Sequence, residues 1–128
     1  MVKALHWAAT IGAVCAAAGF LRAHLPWLAG LEAVCAAGLA IGPALKTVRV
    51  TRVAQLLLLL QTVIVGAIWP SAVTVAALLV VPAAFLVVRD VFKDTAPQDR
   101  LLYVQGSALL AAWSLAAEGW VLAAFHGI

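Results

Sequence analysis

Charge is what this chain has least of. Only 10% of its 128 residues are Asp, Glu, Lys or Arg, while 66% are hydrophobic; soluble domains carry about 25% charged residues. With a mean hydropathy of +1.13, a water-soluble globular domain is excluded and an integral membrane protein is implied. Sequence motifs with built-in chemistry are scarce too. The two cysteines, Cys15 and Cys35, belong to no Cys-x-x-Cys or zinc-ligand spacing, and there is no P-loop or nucleophile elbow. Placed at comparable depths in two apolar helices, these thiols read as small packed hydrophobes. Of the three histidines, His6 falls near one membrane surface, and His24 and His126 near the other. The only depth-matched pair sits at a boundary rather than across an apolar slot, so no haem, other cofactor or metal is expected. The net charge of +3 and pI near 9.3 would suggest nucleic acid in a soluble domain. Here the basic residues lie in short links between apolar runs, where they set orientation, and no nucleic-acid partner is expected.

What the chain does have is hydrophobic length. A spanning helix needs about 20 mostly apolar residues, and five stretches meet that need: Ala4 to Leu21, Trp27 to Leu45, Val53 to Trp69, Ala72 to Val88 and Leu101 to Phe125. The first has the look of a signal peptide, with Lys3 ahead of an apolar run and small residues at Ala16 to Ala18, but is read as a retained span. Arg22, His24 and Pro26 separate the first two stretches, and Lys46, Arg49 and Arg52 the next two; Pro70 and Ser71 form a tight uncharged turn. The only substantial polar link, Arg89 to Arg100, reads as a solvated loop or short interfacial helix. The fold class is therefore all-α, a single-domain bundle of five transmembrane helices. GAVCAAAG at Gly12 to Gly19 is echoed at Glu32 to Ala40, which alanine-rich helices produce without a true repeat.

Lys and Arg positions orient the bundle. A cytoplasmic N-terminus puts Lys3, Lys46, Arg49, Arg52, Arg89, Lys93 and Arg100 inside and only Arg22 outside. The C-terminus, with His126, then faces outward. Trp27, Trp69 and Trp120 fall toward the outer boundary, and Trp7 and Tyr103 toward the inner one, as aromatic belts do. The expected location is the bacterial cytoplasmic membrane.

Two glutamates interrupt the apolar runs. At about 1.5 Å per residue, Glu32 lies roughly 9 Å and Glu118 roughly 11 Å below the outer ends of their helices. An ionisable group inside a bilayer is costly and is a functional hypothesis in its own right. On a wheel of about 100° per residue, Ser107, Ala111, Ser114 and Glu118 share a narrow arc, and Gln55, Thr62, Gly66 and Trp69 share another. Two carboxyls at one depth in a medium of low dielectric would not both stay ionised, leaving an acid beside a base. The alternative is that each is protonated or paired separately, Glu32 with Arg22 or His24, and only tightens packing.

The stretch GLEAVCAAGLAIG from Gly30 to Gly42, followed by basic residues, the apolar run Val53 to Ile68 and Trp69-Pro70, resembles the central part of the DoxX-like small membrane proteins. The resemblance implies a four-helix core and places Glu32, here within Gly30-Leu31-Glu32, at the group's acidic position. Helix one lacks the group's Gly-x-x-Lys ending, and the fifth helix with Glu118 is additional. The group is functionally mixed, and some members resemble quinone-linked oxidoreductase subunits.

The expectation is a pocket opening toward the outer leaflet between helices two, three and five. There Glu32 and Glu118 would act as a catalytic acid/base pair on an apolar, isoprenoid-like or polyketide-like substrate, by isomerisation, cyclisation or epoxide opening. Thr62, Trp69, Ser114, Trp120 and His24 would line or orient that substrate. The other readings are a non-catalytic accessory subunit and a proton-coupled carrier; a carrier usually shows broken helices or inverted halves, and neither is evident. Besides substrate and membrane lipid, the partners compatible with so small a bundle are a second copy of itself or a larger membrane complex.

Overall fold

A computed structural model describes residues 2–70, 72–95 and 97–125. The expected outward placement of His126 and the part of Ser71 in the turn after Pro70 lie outside the described residues. The chain forms helices α1 (Val2–Arg22), α2 (Pro26–Ile41), α3 (Arg49–Ile68), α4 (Ala72–Lys93) and α5 (Gln98–Phe125), with one 3-10 turn at Gly42–Ala44. No strand occurs among the described residues, and all five helices are long and apolar enough to cross a membrane.

Local chemistry sets the helix ends. Pro26 opens α2, where a missing N–H leaves nothing unsatisfied. At the end of α1, His24 takes the left-handed conformation at φ 62°. The Leu25 N–H bonds the Phe20 carbonyl at 2.9 Å and the His24 N–H bonds the Leu21 carbonyl at 3.2 Å, which together close the helix with a Schellman motif. Asp94, at φ 50°, ends α4 in a related way, with the Thr95 N–H bonding the Asp90 carbonyl.

One boundary differs from the sequence expectation. The polar stretch Arg89 to Arg100 is mostly helical: Arg89 to Lys93 continue α4, and Gln98 to Arg100 begin α5. The reason is that Asp90 is not solvated. It is fully buried and met by two arginines, so the helix continues through a residue that composition assigns to water.

Helices α1, α2, α3 and α5 form a four-sided ring in which each touches the next, while α1 and α3, and likewise α2 and α5, make no close backbone approach. The fourth helix lies outside the ring against α3 and α5 and leaves Leu78 and Phe85 broadly exposed, as a lipid-facing helix does.

The most extensive seam is between α1 and α5, and it is a close one. A Cβ on Gly12 would meet Ala112 and Trp113, and one on Gly19 would come within 3.0 Å of the Gly119 carbonyl carbon and the Trp120 nitrogen. Trp113 donates its indole N–H to the Ala8 carbonyl at 3.0 Å, and Trp120 donates to the Cys15 carbonyl at 3.1 Å. Every member of this set recurs after seven residues, the period of parallel helices crossing with left-handed twist. Gly19→Val should force the backbones apart and destabilise the bundle by about 1 to 3 kcal/mol, the usual overpacking cost. Gly30→Val is the control, because nothing lies within 4 Å of its added Cβ. Equal melting temperatures for the two variants in detergent would rule out the close seam.

Candidate functional site

The buried residues of α2, namely Leu28, Ala29, Glu32, Cys35, Ala36 and Leu39, form one helical face. Both flanks of that face are tied down. From α1, His6 Nε2 meets the Leu39 carbonyl at 2.7 Å, and because a carbonyl only accepts, Nε2 carries the hydrogen. From α3, the Gln61 amide donates to the Leu28 carbonyl at 3.3 Å. The face therefore looks between α1 and α3 into the ring.

Glu32 is fully buried on this face, and among the described residues neither of its carboxyl oxygens has a hydrogen-bond partner. Gln61 is equally buried, and its amide oxygen is also unpartnered. Nearly all buried polar groups in folded proteins are hydrogen-bonded, so two open groups on adjoining helices stand out. A carboxyl can offer a proton, accept one, or accept a hydrogen bond from a ligand. Among the described residues no Lys, Arg or His forms an ion pair with Glu32.

Glu118 is 8% exposed on α5. It lies about 100° around the helix from Gly119, whose surface is taken by α1. The helices packed against α5 are α1, α3 and α4. Since α2 and α5 make no close backbone approach, the two glutamates stand on helices of one bundle that share no backbone seam.

The remaining expected substrate residues have local occupations. Thr62 is buried and donates to the Leu58 carbonyl at 2.9 Å; half-buried Ser114 donates to the Ala111 carbonyl at 3.0 Å. Each hydroxyl keeps only acceptor capacity for a ligand. Trp120 is a seam anchor through Cys15, Trp69 packs against the core, and exposed His24 is the left-handed residue that ends α1.

Sequence reasoning missed a polar network at the opposite end, the basic end, where α3 and α5 begin and α4 finishes. Arg52 is 2% exposed; its Nη1 donates to Gln55 Oε1 at 3.0 Å, and Gln55 Nε2 donates to Gln105 Oε1 at 3.0 Å. Asp90 lies 3.5 Å from Arg52 Nη2 and accepts from Arg100 Nη2 at 2.6 Å. The network joins α3, α4 and α5. Its one sequence signal was the three-residue spacing of Arg52 and Gln55, which puts both on one helix face. Counting Arg52 as an orientation signal treated it as solvated.

Three cavities lie toward this end, and none is lined by Glu32, Glu118 or the five expected substrate residues. One of about 220 Å³ is bounded by the link between α2 and α3, Arg52, Gln55 and Gln105. A second, of about 350 Å³, shares Pro43, Thr51 and Gln105 with it and adds Lys3, His6 and Trp7. The third, of about 560 Å³, is an apolar groove along α2 and α3, walled by Val34, Gly38, Val53 and Leu57. Among the described residues no cluster of three His, Cys, Asp or Glu side chains is placed to hold a metal ion.

No protein-family model, curated protein or solved structure matches this chain, and its function is read from its own buried groups.

Proposed function

We propose that this protein is a small membrane-embedded enzyme that moves protons on an apolar, isoprenoid-like or polyketide-like substrate. The observation that carries the reading is the Glu32 carboxyl, fully buried in the ring with both oxygens unpartnered and an unpartnered Gln61 oxygen on the adjoining helix. The resemblance of the Gly30 to Gly42 stretch to the DoxX-like group points to the same glutamate. In an isomerisation or cyclisation, the Glu32 proton adds to a substrate double bond, a second proton leaves a neighbouring carbon, and the carboxyl is regenerated. Gln61 orients the acid or a polar substituent of the substrate. Glu118 acts as the complementary base through the substrate or a water, since its helix makes no close backbone approach to α2.

An untargeted comparison of lipids tests the reading and finds the substrate in one step. Protein in nanodiscs loaded with the apolar extract of its native membrane is incubated in D2O, and the extract is compared by mass spectrometry with a Glu32→Gln sample. A species that changes retention and gains one deuterium supports isomerisation or cyclisation, and a gain of water supports epoxide opening. Identical extracts from both proteins would overturn the reading.

The bundle is proposed to sit in the bacterial cytoplasmic membrane with its basic end inside, because seven of its eight Lys and Arg residues fall at that end. A tag on the C-terminus should be reached by an impermeant reagent on intact cells, and one on the N-terminus should not. Protection of both tags would defeat the orientation.

A further inference from the structure

The polar network at the basic end has a direction, and the direction states what it is built to hold. A guanidinium can only donate. Because Arg52 gives its hydrogen bond to Gln55, the Gln55 amide must present its oxygen there and its nitrogen to Gln105. Gln105 must then accept through its own oxygen, which turns its Nε2 outward. The amide orientations follow from the arginine rather than from a choice between two similar fits. Gln105 is 5% exposed, borders both the 220 Å³ and the 350 Å³ cavities, and gives its Nε2 hydrogens to no protein group among the described residues.

The rest of the wall has the same sign. The Thr51 hydroxyl, also shared by both cavities, sits where a Cβ on Gly42 would collide with it, so the glycine leaves room for that hydroxyl. Lys46 and Arg52 border the first cavity and Lys3 the second, and no Asp or Glu lines either. Asp90 partly offsets Arg52 from behind, but Arg100 shares that carboxylate. A cleft whose charged side chains are all cations, ending in an open amide polarised by a buried arginine, suits an oxyanion. We infer that the paired cavities between the link that precedes α3 and the start of α5 form a binding site for a phosphate-class group, presented either by an anionic lipid headgroup or by a free phosphate. The site is separate from Glu32 and does not depend on the enzymatic reading.

The experiment uses the full chain in nanodiscs of phosphatidylcholine, with and without phosphatidylglycerol. Retained lipid is read by native mass spectrometry, and melting is read with added inorganic phosphate against chloride at equal ionic strength. Gln105→Glu keeps the acceptor for Gln55, replaces the outward donor with an oxygen and sets a carboxyl against the bound anion; Lys46→Gln removes the exposed charge. If a lipid fills the site, the wild type retains phosphatidylglycerol over phosphatidylcholine and both variants lose roughly tenfold in that preference, the scale of one charge-assisted hydrogen bond. If free phosphate fills it, phosphate but not chloride raises the melting temperature, and the variants lose the shift. Should Gln105→Glu fail to fold, Thr51→Val removes the second open donor in its place. The inference is overturned if neither phosphatidylglycerol nor phosphate is selected over its control. It is equally overturned if Lys46→Gln alone weakens selection while the donor variant behaves as wild type, since that is surface attraction without a built site.

Discussion

Asp90→Asn should be among the most destabilising single substitutions in this bundle. Asp90 is fully buried between Arg52, itself 2% exposed, and Arg100. Asparagine is nearly isosteric and keeps an acceptor oxygen for Arg100, so the expected loss comes from charge rather than shape. Arg100 can turn toward water, because its side chain is 20% exposed. Arg52 has no such exit and is left as an uncompensated buried cation. Removing one partner of a buried ion pair costs about 3 to 5 kcal/mol, whereas Arg100→Gln, at the half-open side of the network, should cost about 1 kcal/mol or less. Chemical denaturation in detergent measures both. The decisive comparison is the double variant Asp90→Asn with Arg52→Met. If the stranded charge is the cause, removing it as well recovers much of the loss despite the missing hydrogen bond to Gln55. A double variant less stable than Asp90→Asn alone would mean that Arg52 stabilises the bundle without Asp90, and the account would fail.

The same residues show where sequence reading stops. The five spans were legible because hydrophobic length depends on bilayer thickness, which is independent of how the helices pack. The face of Glu32 was legible for a similar reason: rotation per residue is a property of the helix alone. Pairing was not. Arg52 and Asp90 each sit at the edge of an apolar run, where isolated charges are solvated, and only the meeting of α3 with α4 turns them inward. That meeting also explains why α4 and α5 extend into the expected polar link. The α1 and α5 seam was half-written in the chain, since Gly12 and Gly19 share the seven-residue spacing of Trp113 and Trp120. Nothing local states that the first and last helices are neighbours. The backbone role of His24 was not legible either: its polarity says nothing of the left-handed turn with which it ends α1. The depth match of Glu32 and Glu118 rests on rise per residue alone, and a helix wheel does not fix which neighbours cover each side chain.

Glu32→Gln should abolish turnover and leave the fold intact. Glu32 has no protein partner to lose, and the amide occupies nearly the same volume without any ionised form to bury. Its melting temperature should therefore equal or exceed that of the wild type, the behaviour of a functional group held against stability. Loss of the proton-transferring group should lower turnover at least about 100-fold, the lower range for general acid or base catalysis. Gln61→Leu, which removes both the bond to Leu28 and the open oxygen, should reduce turnover less and should also cost stability, since a positioning group acts through the acid. Glu118→Gln decides how many carboxyls the reaction uses. Two members of one proton-transfer step disable the same event, so the double variant would be no slower than either single one; independent groups would multiply their losses. Because α2 and α5 make no close backbone approach, non-additivity would point to a substrate or water that links the two groups. The single variant remains the sharper test of Glu32. A Glu32→Gln protein that unfolds more readily than wild type while turning over at an undiminished rate would reduce Glu32 to a packing residue and remove the basis for an acid-catalysed function.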